Sequence, residues 1–299
     1  MRSFNSFMTW CLVLICGAMV TAQESGSVVA PGAEVVKLAE VFTFTEGPAC
    51  DSQGNVFFTD QPNNKIYQWS VEGVLTVFHE NPGRANGLFF DQEGNLWACA
   101  DEKNELWKIT PDGRVTVEVK NYQGKRLNGP NDLWFDPNGG LYLTDPFYRR
   151  DYWDHHTMEL PGQYVYYLTP DRKTFRPVVT DLRQPNGIVG TPDGKILYVS
   201  DIGASRTYRY AIQSDGSLSD KTLFCEMGSD GMTLDDQGNV YLTGQGVTVF
   251  NVKGERIIRI PIPERWTANV CFGGKDRNTL FITASDSLYS LKMSVQGAY

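Results

Sequence analysis

Six times along its 299 residues the chain repeats one short unit, a Gly- and Asp-rich turn followed at once by an apolar run. The copies are "DSQGNVFFTD" from 51, "DQEGNLWACAD" from 91, "DPNGGLYLTD" from 136, "TPDGKILYVSD" from 191, "DDQGNVYLTG" from 235 and the weaker "GKDRNTLFITA" from 274. Each reads as a hairpin turn feeding a strand. Most copies are followed by a second strand pattern, such as "KIYQWS", "ELWKIT" or "RTYRYAI", and often by a third, such as "LTVFHE" or "VTVEVK". About four strands recurring at this spacing are the pattern of propeller blades. No sustained helical period competes with it, and a β-sandwich would not repeat one turn motif six times. Runs such as "VFFT" and "LYLT" lack polar alternation, as strands covered on both faces by neighbouring blades should. The sixth copy lacks an outer strand, while "EVVKLAEVFTF" (34–44) precedes the first copy without a partner. The expectation is an all-β, six-bladed β-propeller at 34–295, closed by its N-terminal strand.

Residues 1–22 read as an export leader, with Arg2, the short apolar stretch "FMTWCLVLICGAMV" and a cleavage site at Val20-Thr21-Ala22. Residues 23–33 read as a linker, and the protein as periplasmic or secreted. Loss of the leader removes one Arg and takes the formal charge from −8 to −9. That acidity argues against nucleic acid or an anionic membrane as partner, and suits a hard cation. Cys11 and Cys16 belong to the leader. Cys50, Cys99, Cys225 and Cys271 form no C-x-x-C pair, which excludes zinc-finger and thioredoxin chemistry.

Five residues before the turns stand Glu46, Asn86, Asn131, Asn186 and Asp230, with Asn269 in the sixth copy. In a propeller the innermost strands all start at one mouth of the channel, so residues in this slot converge on the axis. Asn and Asp also suit an irregular strand start, where their side chains satisfy nearby backbone groups. As a set, however, two carboxylates among carboxamides repel unless something positive lies between them. Oxygen donors with two negative charges suit one divalent hard cation in the central channel. Ca2+ is the simplest choice, with Zn2+, Mg2+ and Mn2+ as alternatives. His79, His155 and His156 lie outside the slot.

The stretches "TEGPACDSQGNVFFTD", "GRANGLFFDQEGNLWACA", "NGPNDLWFDPNGGLYLTDPFY", "QPNGIVGTPDGKILYVSD" and "SDGMTLDDQGNVYLTG" resemble the gluconolactonase, senescence-marker-protein (regucalcin) and diisopropyl-fluorophosphatase-like family over about residues 40–290. The resemblance implies a six-bladed propeller with one divalent metal held by Glu46, Asn131, Asn186 and Asp230. It further implies hydrolysis of a sugar lactone, with Asp230 as general base on the attacking water. A nucleophilic Asp230 stays open beside that role. It also implies substrate contacts from Arg84 and Asn86 in "GRANG". A further acidic contact of some relatives falls at "ACADEKNEL", where Asp101 and Glu102 match poorly.

The third repeat is the longest, and its excess is "PFYRRDYWDHHTMELPGQ" (146–163), with Tyr148, Tyr152, Trp153, His155 and His156. Long loops of this kind roof sites, and aromatic residues beside hydroxyl-binding groups suit a carbohydrate. Tyr148 is therefore expected to contact substrate. Packing on the propeller rim is the other account of this loop. Hydrolysis of a phosphorus ester by the same residues is a second functional reading, and a non-catalytic binding scaffold a third.

Overall fold

A computed structural model describes residues 27–299, so the expected leader lies outside the described residues. The strands form six four-stranded antiparallel sheets. Their innermost strands are Thr45–Cys50, Ala85–Phe90, Leu133–Phe135, Pro185–Gly190, Met232–Leu234 and Thr267–Gly273. Each packs against the innermost strand of the next sheet, and the sixth packs against the first. The fold is therefore a six-bladed propeller. Five blades follow chain order from the axis outward. The sixth runs Thr267–Gly273, Thr279–Ala284, Ser287–Lys292 and then Val36–Ala39, which pairs antiparallel with Ser287–Lys292.

The repeated turn is built by its first side chain. Oδ1 of Asp51 accepts from the backbone N–H of Gln53 at 2.8 Å and of Asn55 at 2.9 Å, and Asp91 and Asp235 do the same in their own turns. Gly54 closes the first of these turns at φ 95°, a left-handed conformation that a side chain would strain. The strands that follow, Val56–Asp60, Leu96–Ala100, Leu141–Asp145 and Val240–Gly244, are buried along their whole length. Aromatic contacts join neighbouring blades: Phe57 meets Phe90 at 5.0 Å, Trp97 meets Phe135 at 5.1 Å and Tyr241 meets Phe272 at 5.2 Å. Burying a side chain of this size stabilises the fold by about 1.5–3 kcal/mol.

A second repeated device aims the inner strands. The Asp at the end of the second strand accepts two backbone N–H groups from the segment entering the same blade. Asp60 takes Thr43 and Phe44, Asp145 takes Asn128 and Gly129, and Asp201 takes Arg183 and Gln184. Burial pushes the Asp145 carboxyl up to about 7, although both N–H bonds favour its charged form. Blade 2 breaks the pattern. There Asn64 Oδ1 accepts the N–H of Arg84 at 2.6 Å, and Asp101 is turned elsewhere.

The packed domain extends past both expected boundaries. Val28, in the segment expected to be a linker, is 2% exposed, and Val29 bridges Met293. Residues 296–299 cross the end of the channel where the turns lie. Gly297 N donates to Arg277 O at 2.7 Å, Ala298 N to Leu234 O at 3.1 Å, and the Tyr299 ring sits 6.0 Å from Phe89.

Candidate functional site

The slot residues owe their aim to irregular strand starts. Pairing on the first inner strand passes from Glu46↔Thr59 to Ala49↔Phe57, one residue out of step. The same slip brackets Asn86 between Ala85 and Leu88, and Asn186 between Pro185 and Ile188. A bulge of this kind re-aims a side chain and ends regular pairing. The glycines that follow let the strands crowd the axis. A Cβ on Gly47 would lie 2.1 Å from the Asn86 carbonyl oxygen, and one on Gly187 would lie 2.7 Å from that of Asp230. Gly87 N donates to Asn131 O at 2.7 Å, tying the second slot to the third.

Glu46, Asn131 and Asn186 are 3%, 5% and 1% exposed, so their polar atoms must be satisfied by one another or by something bound. Asn186 Nδ2 donates to Asp230 Oδ1 at 2.9 Å and to the Tyr148 hydroxyl at 2.7 Å. Its Oδ1 is buried and has no partner among the described residues. Glu46 Oε2 accepts from Gly47 N at 3.0 Å. Burial first, and the charge of Asp230 second, hold the Glu46 carboxyl well above the usual range. Burial also raises Asp230, against hydrogen bonds from Trp266 and Asn186. Two buried carboxyls, one of them raised by the charge of the other, beside an orphaned carboxamide oxygen, fit a hard cation. Among the described residues no three His, Cys, Asp or Glu side chains converge, so a cation at this site needs the carboxamide oxygens too.

Two members of this centre were not foreseen. Trp266, just ahead of the sixth inner strand, donates its indole N–H to Asp230 Oδ2 at 2.6 Å. Asp132, next to Asn131, is buried, and desolvation pushes its carboxyl up to about 8. It lines a 400 Å³ cavity that runs from the ring of slots toward the 296–299 segment, together with Asn269, Cys50 and Cys271. The "PND" triplet held a signal for Asp132, since an acid follows the slot where glycine stands in most blades. Trp266 lies in no repeated position.

The 146–163 loop reaches the mouth. Burial and the Asp230 charge raise the Tyr148 hydroxyl, which therefore stays protonated, with its oxygen accepting from Asn186. The buried Asp101 gathers the rest. Its Oδ2 accepts from Arg150 Nε at 2.9 Å, from Gln61 Nε2 at 3.3 Å and from the Tyr152 hydroxyl, while its backbone carbonyl accepts from Trp153 Nε1 at 2.9 Å. Asp101 is thus spoken for, whereas Glu102 stands 3.9 Å from Arg84. Arg84 is less free than expected. Its Nη1 donates to Pro62 O at 2.7 Å, and its guanidinium lies 4.7 Å from the Tyr152 ring centre. Asn86 is buried beside the centre, its carbonyl accepting from Thr59 Oγ1 at 3.2 Å. His155 stacks on Trp153 at 4.8 Å, and His156 is exposed.

The model of the SMP-30/Gluconolactonase/LRE-like region matches residues 44–286. A gluconolactonase of Zymomonas mobilis subsp. mobilis is 30% identical over 291 residues, covering 87% of this chain and 81% of the relative. A solved gluconolactonase structure from Xanthomonas campestris is 29% identical with a TM-score of 0.83, covering 89% and 91% of the two chains. A calcium-binding regucalcin from Agrobacterium tumefaciens is 20% identical with a TM-score of 0.75, covering 87% and 94%, a likeness of fold.

Proposed function

The chain belongs to the SMP-30/gluconolactonase/LRE-like family, and from that premise we propose that it is a lactonase opening a sugar lactone of the gluconolactone type to the aldonic acid. The observation that carries the proposal is the buried pairing of Asp230 with Asn186, whose Oδ1 is left without a partner among the described residues. Glu46, Asn131, Asn186 and Asp230 would hold one divalent cation, Ca2+ in first place, and the calcium-binding regucalcin of the same fold supports that choice. Such a cation, when bound, supplies Lewis acidity to a carbonyl oxygen.

The side chains of the centre divide the remaining work. Trp266 and Asn186 fix both oxygens of Asp230, so the carboxylate meets an attacking water in one orientation and takes its proton as general base. Glu46 has no such pair of donors and serves as a ligand. Tyr148 keeps its proton and has it free to offer, since its oxygen already accepts from Asn186. Arg84 and Asn86 bound the substrate on the blade 2 side, and the 146–163 loop excludes water from above. A mouth lined by Tyr148, Arg150, Tyr152 and Arg84 suits the hydroxyls of a sugar better than the apolar groups of a phosphorus ester, and supports the lactone reading over that alternative. The same reading takes the protein as exported, with residues 1–22 removed and the ring closed by Val36–Ala39; the pairing of that strand with Ser287–Lys292 supports the closure.

Acid release from glucono-1,5-lactone tests the proposal. Activity should vanish on chelation, return with Ca2+, Mg2+, Mn2+ or Zn2+ added singly, and be lost in Asp230→Asn. Absence of turnover by the cation-loaded protein would sink the lactone assignment.

A further inference from the structure

Blade 2 departs from the clamp that blades 1, 3 and 4 share, and the departure ends at the site. In blades 1, 3 and 4 the Asp closing the second strand clamps two backbone N–H groups of its own blade. In blade 2 Asn64 takes over at Arg84 N, and Asp101 spends its side chain on a loop 49 residues away. A carboxylate 2% exposed that accepts from Arg150, Tyr152 and Gln61 is not a turn device. It sets the angle of one guanidinium.

Arg150 is bound only at Nε; among the described residues its two terminal nitrogens have no hydrogen-bond partner. Its Cζ lies over the ring of Tyr148, 5.1 Å from the ring centre, and the Tyr148 hydroxyl accepts from the Asn186 carboxamide. The guanidinium is thus held at its base by Asp101, along its face by Tyr148, and through Tyr148 against the candidate metal ligands. Its charge bears on both Glu46 and Asp230. Arg84, the arginine singled out in the sequence, instead has Nη1 committed to Pro62 O.

We propose that Arg150 is a substrate-binding residue whose free guanidinium nitrogens receive the carboxylate formed on ring opening, and that Asp101 is its positioning residue. Resting on the lactonase reading for the identity of the ligand, the physical reason is local charge. Opening a neutral lactone creates an anion beside Glu46 and Asp230, and the fork of an arginine answers a carboxylate in geometry as well as charge.

The test is calorimetric binding to the calcium-loaded full-length protein, with gluconate as the anionic probe and glucitol as a neutral polyol of the same carbon count. A hydrogen bond to a charged group is worth about 1.5–3 kcal/mol, so Arg150→Met should weaken gluconate about 10- to 100-fold and glucitol less than about twofold. Asp101→Asn should shift gluconate in the same direction by a smaller factor, because the guanidinium remains but loses its anchor. Methylguanidinium should restore gluconate binding to Arg150→Ala, a rescue that a purely structural arginine would not show. Gluconate affinity unchanged in Arg150→Met, equal losses of both ligands, or a wild type that binds no gluconate would each overturn the assignment. Arg150-dependent gluconate binding without lactone turnover would leave the anion site standing and remove the lactonase reading.

Discussion

The indole N–H of Trp266 and the carboxamide N–H of Asn186 grip the two oxygens of Asp230, at 2.6 Å and 2.9 Å. A carboxylate held at both ends cannot rotate to follow a proton or a ligand; it works in one orientation or not at all. Trp266→Phe keeps the ring and removes the donor. The expected result is a fall in kcat of about 10- to 100-fold, from the loss of one charge-assisted bond, with little change in thermal stability. A kcat within about twofold of wild type would show that Asn186 alone orients Asp230.

Asn186 supplies two donors to its neighbours and keeps one buried acceptor unused. Asn186→Ala should therefore weaken Ca2+ binding to the chelated protein by at least about tenfold. Tyr148→Phe, which removes only the acceptor for one Asn186 donor, should weaken it less. Titration calorimetry of both variants checks the order, and equal or reversed losses would argue that Asn186 Oδ1 faces no cation.

Gly47 and Gly94 both adopt positive φ, 45° and 81°, yet their surroundings differ. A Cβ on Gly47 would meet the Asn86 carbonyl oxygen at 2.1 Å, whereas Gly94 has nothing within 4 Å. Gly94→Ala should cost about 1 kcal/mol, from backbone conformation alone. Gly47→Ala should add overlap worth about 1–3 kcal/mol and disturb the neighbouring ligands. Urea midpoints of the two variants compare these effects directly. Equal losses would mean that the inner strands can move apart at no expense.

Asp145 makes stability depend on pH. Its folded carboxyl sits at about 7, above the ordinary value of 3.8, because burial opposes the charge. Between those values the folded protein holds a proton that the unfolded chain has released. This contribution is fully present below about pH 4 and is lost as pH rises to about 7, by up to about 1.4 kcal/mol per pH unit. Asp145→Asn should flatten the rise in Tm that accompanies acidification from pH 7 to pH 4. An unchanged slope would show that the two backbone donors keep Asp145 ionised throughout.

The ring was legible in the chain because blade packing repeats: the Asp- and Gly-bearing turn recurs in five copies and weakly in the sixth, each with an apolar run after it and a polar slot before it, and each follows from local chemistry. Glu46, Asn86, Asn131, Asn186 and Asp230 could be picked out for the same reason, as departures from the apolar strand at one fixed offset. Arg84 could be named from its motif, but its sequence neighbourhood cannot reveal that Pro62, on the preceding blade, accepts from its Nη1. Asp101 matched an acidic contact poorly, and nothing in its neighbourhood points to Arg150, 49 positions on.

What the sequence by itself determined was therefore the periodic part, the blades and the slot series, where the same short-range pattern is enforced six times. Tertiary structure alone decided the aperiodic part: Trp266 on Asp230, Asp101 on Arg150, and Tyr148 on Asn186. Those contacts join residues 36, 49 and 38 positions apart. No local pattern encodes such pairs, because each exists only once the ring has closed and brought its blades to a common axis.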